Sequence, residues 1–580
     1  MKNREIAKIF NDIADILEIK GDNPFRIRAY RRAAQNIEGF AKDIAVTQEE
    51  ELKKIPGIGE DLAGKIKEYT ETGYLEFYEK LKKEVPSGLV EMLSISGLGP
   101  KTVKMFFDRL GIKDIDKLES LAKKGKLRGI SGIKAKTEEN IIKGIATIRR
   151  HTERYPIGHV LPVAEDILKK LRETAPVKNL SLAGSLRRWK DTIKDIDILA
   201  TSKDPKKVMQ VFIHLLQVKE VLMKGPTKSS IITNEGIQVD LRVVEENSFG
   251  AALAYFTGSK NHNIRLREMA AKKGFKINEY GVFDAKTGRK IGGKGEIDIY
   301  TSLDLPFVPP ELREDSGEVE AAIDRRLPDL INLNHIKGDL HVHTKYSDGS
   351  HNIEEIVDAV KKRNYKYIAI TDHSKGLGIA NGLSIEKILA QNKKLKAINK
   401  QLRGLRILSG VEMDIRSDGT MDYPDEVLKK LDIVVASIHS GFRQSKKQIT
   451  NRLVSAMKNP HVSVIAHPTG RLIGERDAYE IEMEEFLKTA RDTGTAIEIN
   501  AYPLRLDLND IYVRKAKEMG VPLVISTDTH VIYQLEFMRY GVGTARRGWV
   551  EERDILNTYT YKSLQKHLKI KKYKSLSAGL

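Results

Sequence analysis

The chain contains no cysteine. That excludes a disulfide framework and any zinc site built on thiolates. It also lacks an apolar run long enough to cross a bilayer, and residues 1–20, MKNREIAKIFNDIADILEIK, are charged and amphipathic, unlike a secretory signal. A cytoplasmic protein without membrane contact is the expectation. What the sequence has in excess is positive charge: 99 Lys and Arg against 80 Asp and Glu over 580 residues, a net +19. Residues 1–300 hold 56 basic and 42 acidic side chains, the remainder 43 and 38. Such a bias points to a polyanionic partner engaged mainly by the amino-terminal part. The length implies several domains rather than one core.

The densest chemistry lies in residues 184–199, GSLRRWKDTIKDIDIL, and in QVDLR at residues 238–242. Asp195 and Asp197 stand two apart in an apolar frame of Ile193, Ile196, Ile198 and Leu199, so on a β-strand both carboxylates project from one face. Two such charges side by side are costly unless a divalent cation lies between them. Asp240, in a second strand-like run over residues 236–244, completes a three-carboxylate set. Upstream, Gly184 and Ser185 form a small turn ahead of Arg187 and Arg188. Such a turn offers backbone N–H groups, a hydroxyl and guanidinium charge to a triphosphate.

This constellation resembles the nucleotidyltransferase palm of the family X, or polymerase-beta-like, DNA polymerases. The resemblance extends through Tyr255-Phe256-Thr257-Gly258-Ser259, Asn261-His262-Asn263-Ile264-Arg265 and KKGFKINEYGVF at residues 272–283. It implies that Asp195 and Asp197 hold two divalent ions, Mg2+ or Mn2+, and that Asp240 binds the catalytic one. It further implies that Gly184, Ser185 and Arg188 receive the dNTP triphosphate and that Tyr255, Phe256 and Gly258 flank its sugar. Asn261 would then approach the base and Arg265 the template. Two positions depart from the family pattern: Lys194 precedes Asp195 where Gly is usual, and Trp189 replaces a small residue or Gly.

Residues 1–150 read as helical, with Ile6, Ile9, Phe10, Ile13, Ile16 and Leu17 recurring at intervals of three and four. Breaks occur at Ile55-Pro56-Gly57-Ile58-Gly59, at Ile95-Ser96-Gly97-Leu98-Gly99 and, more weakly, at Ile130-Ser131-Gly132-Ile133, where Lys134 replaces the second glycine. A glycine turn ahead of a helix leaves backbone N–H groups facing outward, where a phosphate can bind. These breaks resemble helix-hairpin-helix motifs, which grip DNA backbones without reading sequence. On that resemblance Gly57, Gly59, Gly97 and Gly99 contact DNA, and the third copy is degenerate. In polymerase-beta-like enzymes a lysine after this motif forms a Schiff base with 5′-deoxyribose phosphate. Lys65 occupies that position as a candidate lyase nucleophile, with Asp61 opposing it; a phosphate-contacting lysine is the alternative.

A Pro- and charge-rich stretch, LDLPFVPPELREDSGEVEAA, opens a linker expected over residues 305–335. Beyond it, seven apolar strand-like runs (337–343, 367–373, 406–415, 432–440, 462–468, 495–500 and 523–530) alternate with helical segments. That alternation argues for a parallel sheet, and its length for a closed barrel with its site at the carboxyl ends of the strands. Polar residues gather at those ends: His341, His343, His373, Glu412, His439, His467, Asp528 and His530, with Asp348 in the first loop. Imidazole and carboxylate donors suit zinc, manganese or iron. The segments HVHTKYSDG, TDH, GVEMD, SIHSGF, AHP and STDTH resemble the polymerase-and-histidinol-phosphatase, or PHP, superfamily. The resemblance implies up to three Zn2+, Mn2+ or Fe ions: one held by His341, His343, Glu412 and Asp528, a second by Glu412, His439 and His467, a third by Asp348, His373 and His530.

The expected architecture is multidomain α+β and α/β: a helical helix-hairpin-helix region, a nucleotidyltransferase palm with a mixed sheet, and a distorted carboxy-terminal (β/α)7 PHP barrel. The expected boundaries are a helical DNA-binding domain over 1–82, a second hairpin-bearing subdomain over 83–150, the palm over 151–245, a nascent-base-pair subdomain over 246–304, the linker over 305–335 and the PHP domain over 336–580. The expected activity is short-gap filling on gapped or nicked DNA by a monomer, with 3′–5′ exonuclease and further 3′-phosphatase or abasic-site cleavage in the barrel. Two alternatives stand beside it: a barrel acting on small phosphomonoesters, and a DNA-end-binding scaffold with vestigial centres.

Overall fold

The computed structural model describes residues 3–38, 44, 47–53, 55, 57–93, 95, 98–130, 133, 137–139, 141, 142, 144, 145 and 154–568. It divides into two compact units, Met1–Glu153 with Gly474–Arg476, and Arg154–Ile473 with Asp477–Leu580. Among the described residues no helix is long and apolar enough to cross a membrane.

The described part of the first unit is helical. The apolar stripe of Asn3–Lys20 puts Ile6, Phe10, Ile13 and Leu17 into the core. Tyr30 of Pro24–Glu38 packs edge-on against Phe10 and stacks on Phe77. One apolar cluster runs from Ile6 to Ile145, so the helical pieces on either side of residue 82 share a core. The hairpin turn occurs three times. The N–H groups of Ile55, Ile95 and Ile130 donate to the carbonyls of Leu52, Met92 and Leu127, and those of Ile58, Leu98 and Ile133 donate in turn to Ile55, Ile95 and Ile130, all at 2.9–3.1 Å. All nine side chains are buried. The third copy, expected as degenerate, therefore makes the same turn, because buried apolar side chains fix it rather than the glycine it lacks. Gly97 and Lys134 lie outside the described residues.

In the second unit a five-stranded sheet has the order Asn179–Leu182, Asp195–Thr201, Gln238–Val243, Lys228–Thr233, Val218–Lys224. Only Asp195–Thr201 and Gln238–Val243 run parallel; the other pairs are antiparallel, so the sheet is mixed as expected. Helices Ile157–Thr174 and Pro205–Ile213 bury their apolar sides against Ile196, Ile198, Ile231, Val239 and Leu241 of this sheet. Helices Phe249–Thr257 and Lys260–Lys272 and a small antiparallel sheet follow. The segment expected as a linker is a packed part of this region. Leu305, Val308, Leu312, Ala322 and Leu330 are buried in one cluster with Leu266 and Tyr300, and Glu318–Ile323 is helical. Its prolines shape turns around that core rather than marking a free connector.

Seven wholly parallel strands in chain order, Gly338–Val342, Tyr367–Ile370, Arg406–Asp414, Ile433–Ser437, Val464–Ile465, Ala496–Asn500 and Leu523–Ser526, form a nearly closed barrel. A bridge between Val342 and Thr529 links first and last, with His343 N–H donating to Thr529 O at 2.8 Å. Leu340, Ala369, Leu408, Val435, Ala496 and Val524 fill one apolar cluster, with Leu556, Leu564 and Leu568 completing it. Two residues on along three of those strands stand Thr371, Gly410 and Ser437, and two further on His373, Glu412 and His439, so strand periodicity carries the same face up to the polar end.

Candidate active sites

On the mixed sheet, parallel register sets Asp197 directly beside Asp240 and Asp195 beside Gln238. Ile196, Ile198, Val239 and Leu241 are buried beneath, while Asp195, Asp197 and Asp240 are half-buried on the other face. Gly184 closes over this face at φ +62°; a Cβ there would stand 2.3 Å from Asp197 Oδ2, so no side chain fits. Burial pushes the Asp197 carboxyl up to about 7, and the like charges of Asp195 and Asp240 add to the shift, against Arg242 and Lys228. A divalent cation removes that penalty, and an all-carboxylate set favours hard ions.

The groups expected at the nucleotide surround this face. Ser185 lies half-buried in the Gly184–Arg187 turn. The two arginines that follow diverge. Arg187 turns inward, forming paired bonds of 2.7–2.8 Å with Glu296, which Arg313 also meets at 2.6 Å. Arg188 donates through Nε to Glu314 at 3.0 Å and through Nη1 to the Thr257 carbonyl. Burial raises the Glu314 carboxyl, but Arg188, Arg547 and Lys190 outweigh it and hold the group below its usual value. Thr257 ends the helix that carries Tyr255 and Phe256, whose rings meet edge to face at 5.1 Å, and Gly258 caps it at φ +71°. Arg242 lies over the Phe256 ring at 4.6 Å. Asn261 is exposed in the first turn of Lys260–Lys272, and Arg265, one turn on, pairs with Glu320 at 2.7 Å. Lys194 is exposed. Trp189 leaves the site altogether and packs on the barrel helix Met538–Arg547, edge-on to Tyr540.

In the helical unit, Gly59 and Gly99 are the residues before helices Glu60–Thr72 and Pro100–Leu110, both extended at φ −86° and −90°. Gly57 takes φ +84° beside Arg32. Lys65 pairs with Asp61 one turn earlier and lies 5.2 Å from the centre of the Phe77 ring.

At the barrel's polar end, all nine expected residues converge. His343, Asp348, His373 and His530 form one group, His341, His343, Glu412 and Asp528 a second, and His373, Glu412 and His439 a third, each with donor atoms within 4.8 Å of one another. His467 Nε2 stands 3.0 Å from Glu412 Oε1, which His439 Nε2 approaches at 3.2 Å. Glu412 thus sits at the centre and His343 and His373 serve two groups each, a more shared arrangement than the expected partition. A bulge in Gly338–Val342, between Asp339 and Val342, sets three residues against two on its neighbour and brings both His341 and His343 inward. His467 and Asp528 hold positive φ, +28° and +55°, strained backbone of the kind kept at functional positions.

The fit to cations rests on unsatisfied atoms. His341 Nε2, both ring nitrogens of His343, His373 Nδ1 and Glu412 Oε2 are buried without a hydrogen-bond partner. Orphaned imidazole nitrogens around one carboxylate are expensive unless they ligate. The charge balance agrees. Burial works against protonating His373, yet Glu412 and Asp348 lift it to about 10, whereas burial with His530 and His373 nearby drops His343 to about 4. Two residues escaped the sequence reading. Glu498, fully buried, accepts from His341 Nδ1 at 2.8 Å, from His467 N–H at 2.7 Å and from Asn500 Nδ2 at 3.1 Å. Asn500 also reaches Asp528 Oδ2 at 3.3 Å. Their signal was present: 495–500 is the strand run to which no ligand had been assigned.

A protein of Bacillus subtilis named DNA polymerase/3′-5′ exonuclease PolX is 42% identical over 571 residues, covering 98% of this chain and 100% of that protein. The chain belongs to the PolX family. Family models match its parts: a helix-hairpin-helix domain matches residues 1–75, a SAM-like helix-hairpin-helix tandem 89–147, the DNA polymerase beta thumb 252–314 and the PHP domain 339–502. The tandem spans both the second and third hairpin turns. The thumb match runs through Tyr255, Asn261 and Arg265 to Glu314, and the PHP match holds seven of the nine converging residues, Asp528 and His530 lying beyond it. Proteins named as probable phosphatases, from Thermoanaerobacter sp. and Caldanaerobacter subterraneus, are 31% and 32% identical over 248 and 210 residues, covering 41% and 34% of this chain and 96% and 77% of theirs.

Proposed function

We propose that this chain fills short gaps in DNA at Asp195, Asp197 and Asp240 and trims 3′ ends in the PHP barrel, acting as a cytoplasmic monomer on gapped or nicked DNA. The observation that carries the reading is the pairing, in one compact unit, of a like-charged carboxylate face with a barrel end full of unsatisfied ligand atoms. Bound divalent ions, Mg2+ or Mn2+ in the palm and up to three Zn2+, Mn2+ or Fe ions in the barrel, supply activation of the attacking oxygen and neutralisation of phosphate charge. The three palm carboxylates bind those ions and orient the 3′-hydroxyl toward the triphosphate. Gly184 N–H, Ser185 and Arg188 hold the triphosphate; Tyr255, Phe256 and Gly258 flank the sugar; Asn261 meets the base and Arg265 the template. In the barrel His341, His343, Asp348, His373, Glu412, His439, His467, Asp528 and His530 hold the metal centre, while Glu498 fixes His341. The hairpin turns over residues 1–150 grip the DNA backbone, and the boundaries at 150, 245 and 335 separate these tasks.

Asp240→Ala tests the palm. Extension of a primer across a gap should be lost by several orders of magnitude, with shortening of 3′ ends unchanged. Normal incorporation by the purified variant overturns the assignment. A second reading has its own support in the likeness to proteins named as phosphatases: the barrel removes phosphate from small phosphomonoesters. Turnover of such substrates with no action on DNA ends would select it.

A further inference from the structure

The loop that joins the triphosphate turn to the carboxylate strand is held from the barrel at three residues. Arg547, the last residue of helix Met538–Arg547, donates through Nη1 to the Arg188 carbonyl at 2.8 Å and to Glu314 Oε1 at 2.9 Å. The same Glu314 oxygen anchors the Arg188 side chain. One barrel guanidinium therefore fixes both the backbone and the carboxylate partner of the arginine assigned to the nucleotide. Its other face is locked by Asp510, at 2.8 Å from Nε and 2.6 Å from Nη2. Next in the loop, the Trp189 indole fills the space over Gly543, where a Cβ would come within 2.4 Å of its ring. Two residues on, Asp191 pairs with Arg471 at 3.1 Å, and Arg471 also grips the carbonyls of Arg505 and Leu506. Glu314 is the pivot: its Oε1 is shared by Arg188, by Lys190 at 3.5 Å and by the buried Arg547 guanidinium, so Arg188 does not hold it as a closed pair.

We propose that Arg547 of the PHP barrel is a positioning residue for nucleotide addition, holding Arg188 through Glu314 and through the Arg188 carbonyl in the geometry that receives the triphosphate. The proposal rests on the assignment of Arg188 to the triphosphate and makes the barrel a working part of the polymerase rather than an appended nuclease. It also accounts for Trp189, a large residue at a position where the palm pattern has a small one.

The test measures kcat and KM for dNTP on gapped DNA with the full chain, using Arg188→Ala, Arg547→Met and the double variant, with 3′-end shortening and thermal melting recorded alongside. Arg547→Met should raise KM roughly ten- to a hundredfold, the loss that follows misplacement of a binding group, leave nuclease activity intact, and add nothing in the Arg188→Ala background. Arg547→Lys should recover part of the loss. An unchanged KM for Arg547→Met, or effects that simply add in the double variant, overturns the proposal. If Arg188→Ala itself leaves KM unchanged, the assignment of Arg188 to the nucleotide fails first, and the proposal falls with it for that separate reason. Should Arg547→Met not fold, Glu314→Gln keeps the shape and carries the same test: a raised KM that vanishes in the Arg188→Ala background supports the proposal, and an unchanged KM overturns it.

Discussion

At the scale of single residues, one carboxylate decides how the barrel's centre is built. Glu498 touches His341 Nδ1, leaving Nε2 of that ring aimed at Glu412, 3.3 Å away. A carboxylate behind a ligating histidine fixes both the tautomer and the ring orientation, and removing such a partner costs roughly 10–100-fold in metal affinity. Glu498→Ala should therefore weaken metal binding by that factor in competition with a metal-sensing chelator, while gap filling persists. Unchanged affinity would show His341 to be oriented by packing alone. The convergence of the nine expected residues was legible because histidine and carboxylate recur at the ends of successive apolar runs. Glu498 was not, because an acidic residue in AIEIN differs from a surface glutamate only once the strand's inward face is known. Arg187 shows the converse: beside Arg188 in sequence it looks equally available, and only the position of Glu296, more than a hundred residues on, turns it inward.

At the scale of elements, the glycines of the hairpin turns separate structural need from function. Around Gly59 and Gly99 nothing lies within 4 Å of where a Cβ would be, and both have negative φ, so the fold itself admits a side chain there. Open space before a helix start is what a phosphate needs in order to approach backbone N–H groups. Gly59→Val and Gly99→Val should cost at most about 1 kcal/mol of stability but weaken binding to gapped DNA about tenfold or more, with a shallower salt dependence. Wild-type affinity and salt slope in both folded variants would remove the hairpins from the DNA interface. The elements themselves were largely readable: the alternating runs gave the seven parallel strands in chain order, and the paired aspartates gave the strand beside Gln238–Val243. The third hairpin was underrated because its motif was judged by glycine, whereas its turn is set by Leu127, Ile130 and Ile133 in the core. Residues 305–335 were misread as a linker because proline and charge hid the spaced Leu305, Val308, Leu312 and Leu330 that pack under Tyr300.

At the scale of the whole molecule, the palm, thumb and barrel form one compact unit whose internal joints no local pattern announces. Trp189 and Gly543, or Arg188 and Arg547, lie more than three hundred residues apart, and neither member of either pair is unusual in its own segment. Charge is divided between the two chemistries: a carboxylate face that calls for hard ions, and a histidine-rich end that calls for softer ones. On the proposed function these are two separate metal-dependent centres. Glu412 lies among the barrel's donor atoms, its side chain facing His341, His343, His373, His439 and His467, so its loss should disable one centre and spare the other. The decisive measurement follows a labelled 3′ end on gapped DNA with folded Glu412→Ala protein, first without and then with dNTPs. Shortening of the 3′ end should be abolished while gap filling proceeds. Shortening at the wild-type rate, from protein shown by melting to be folded, would place the nuclease outside the barrel.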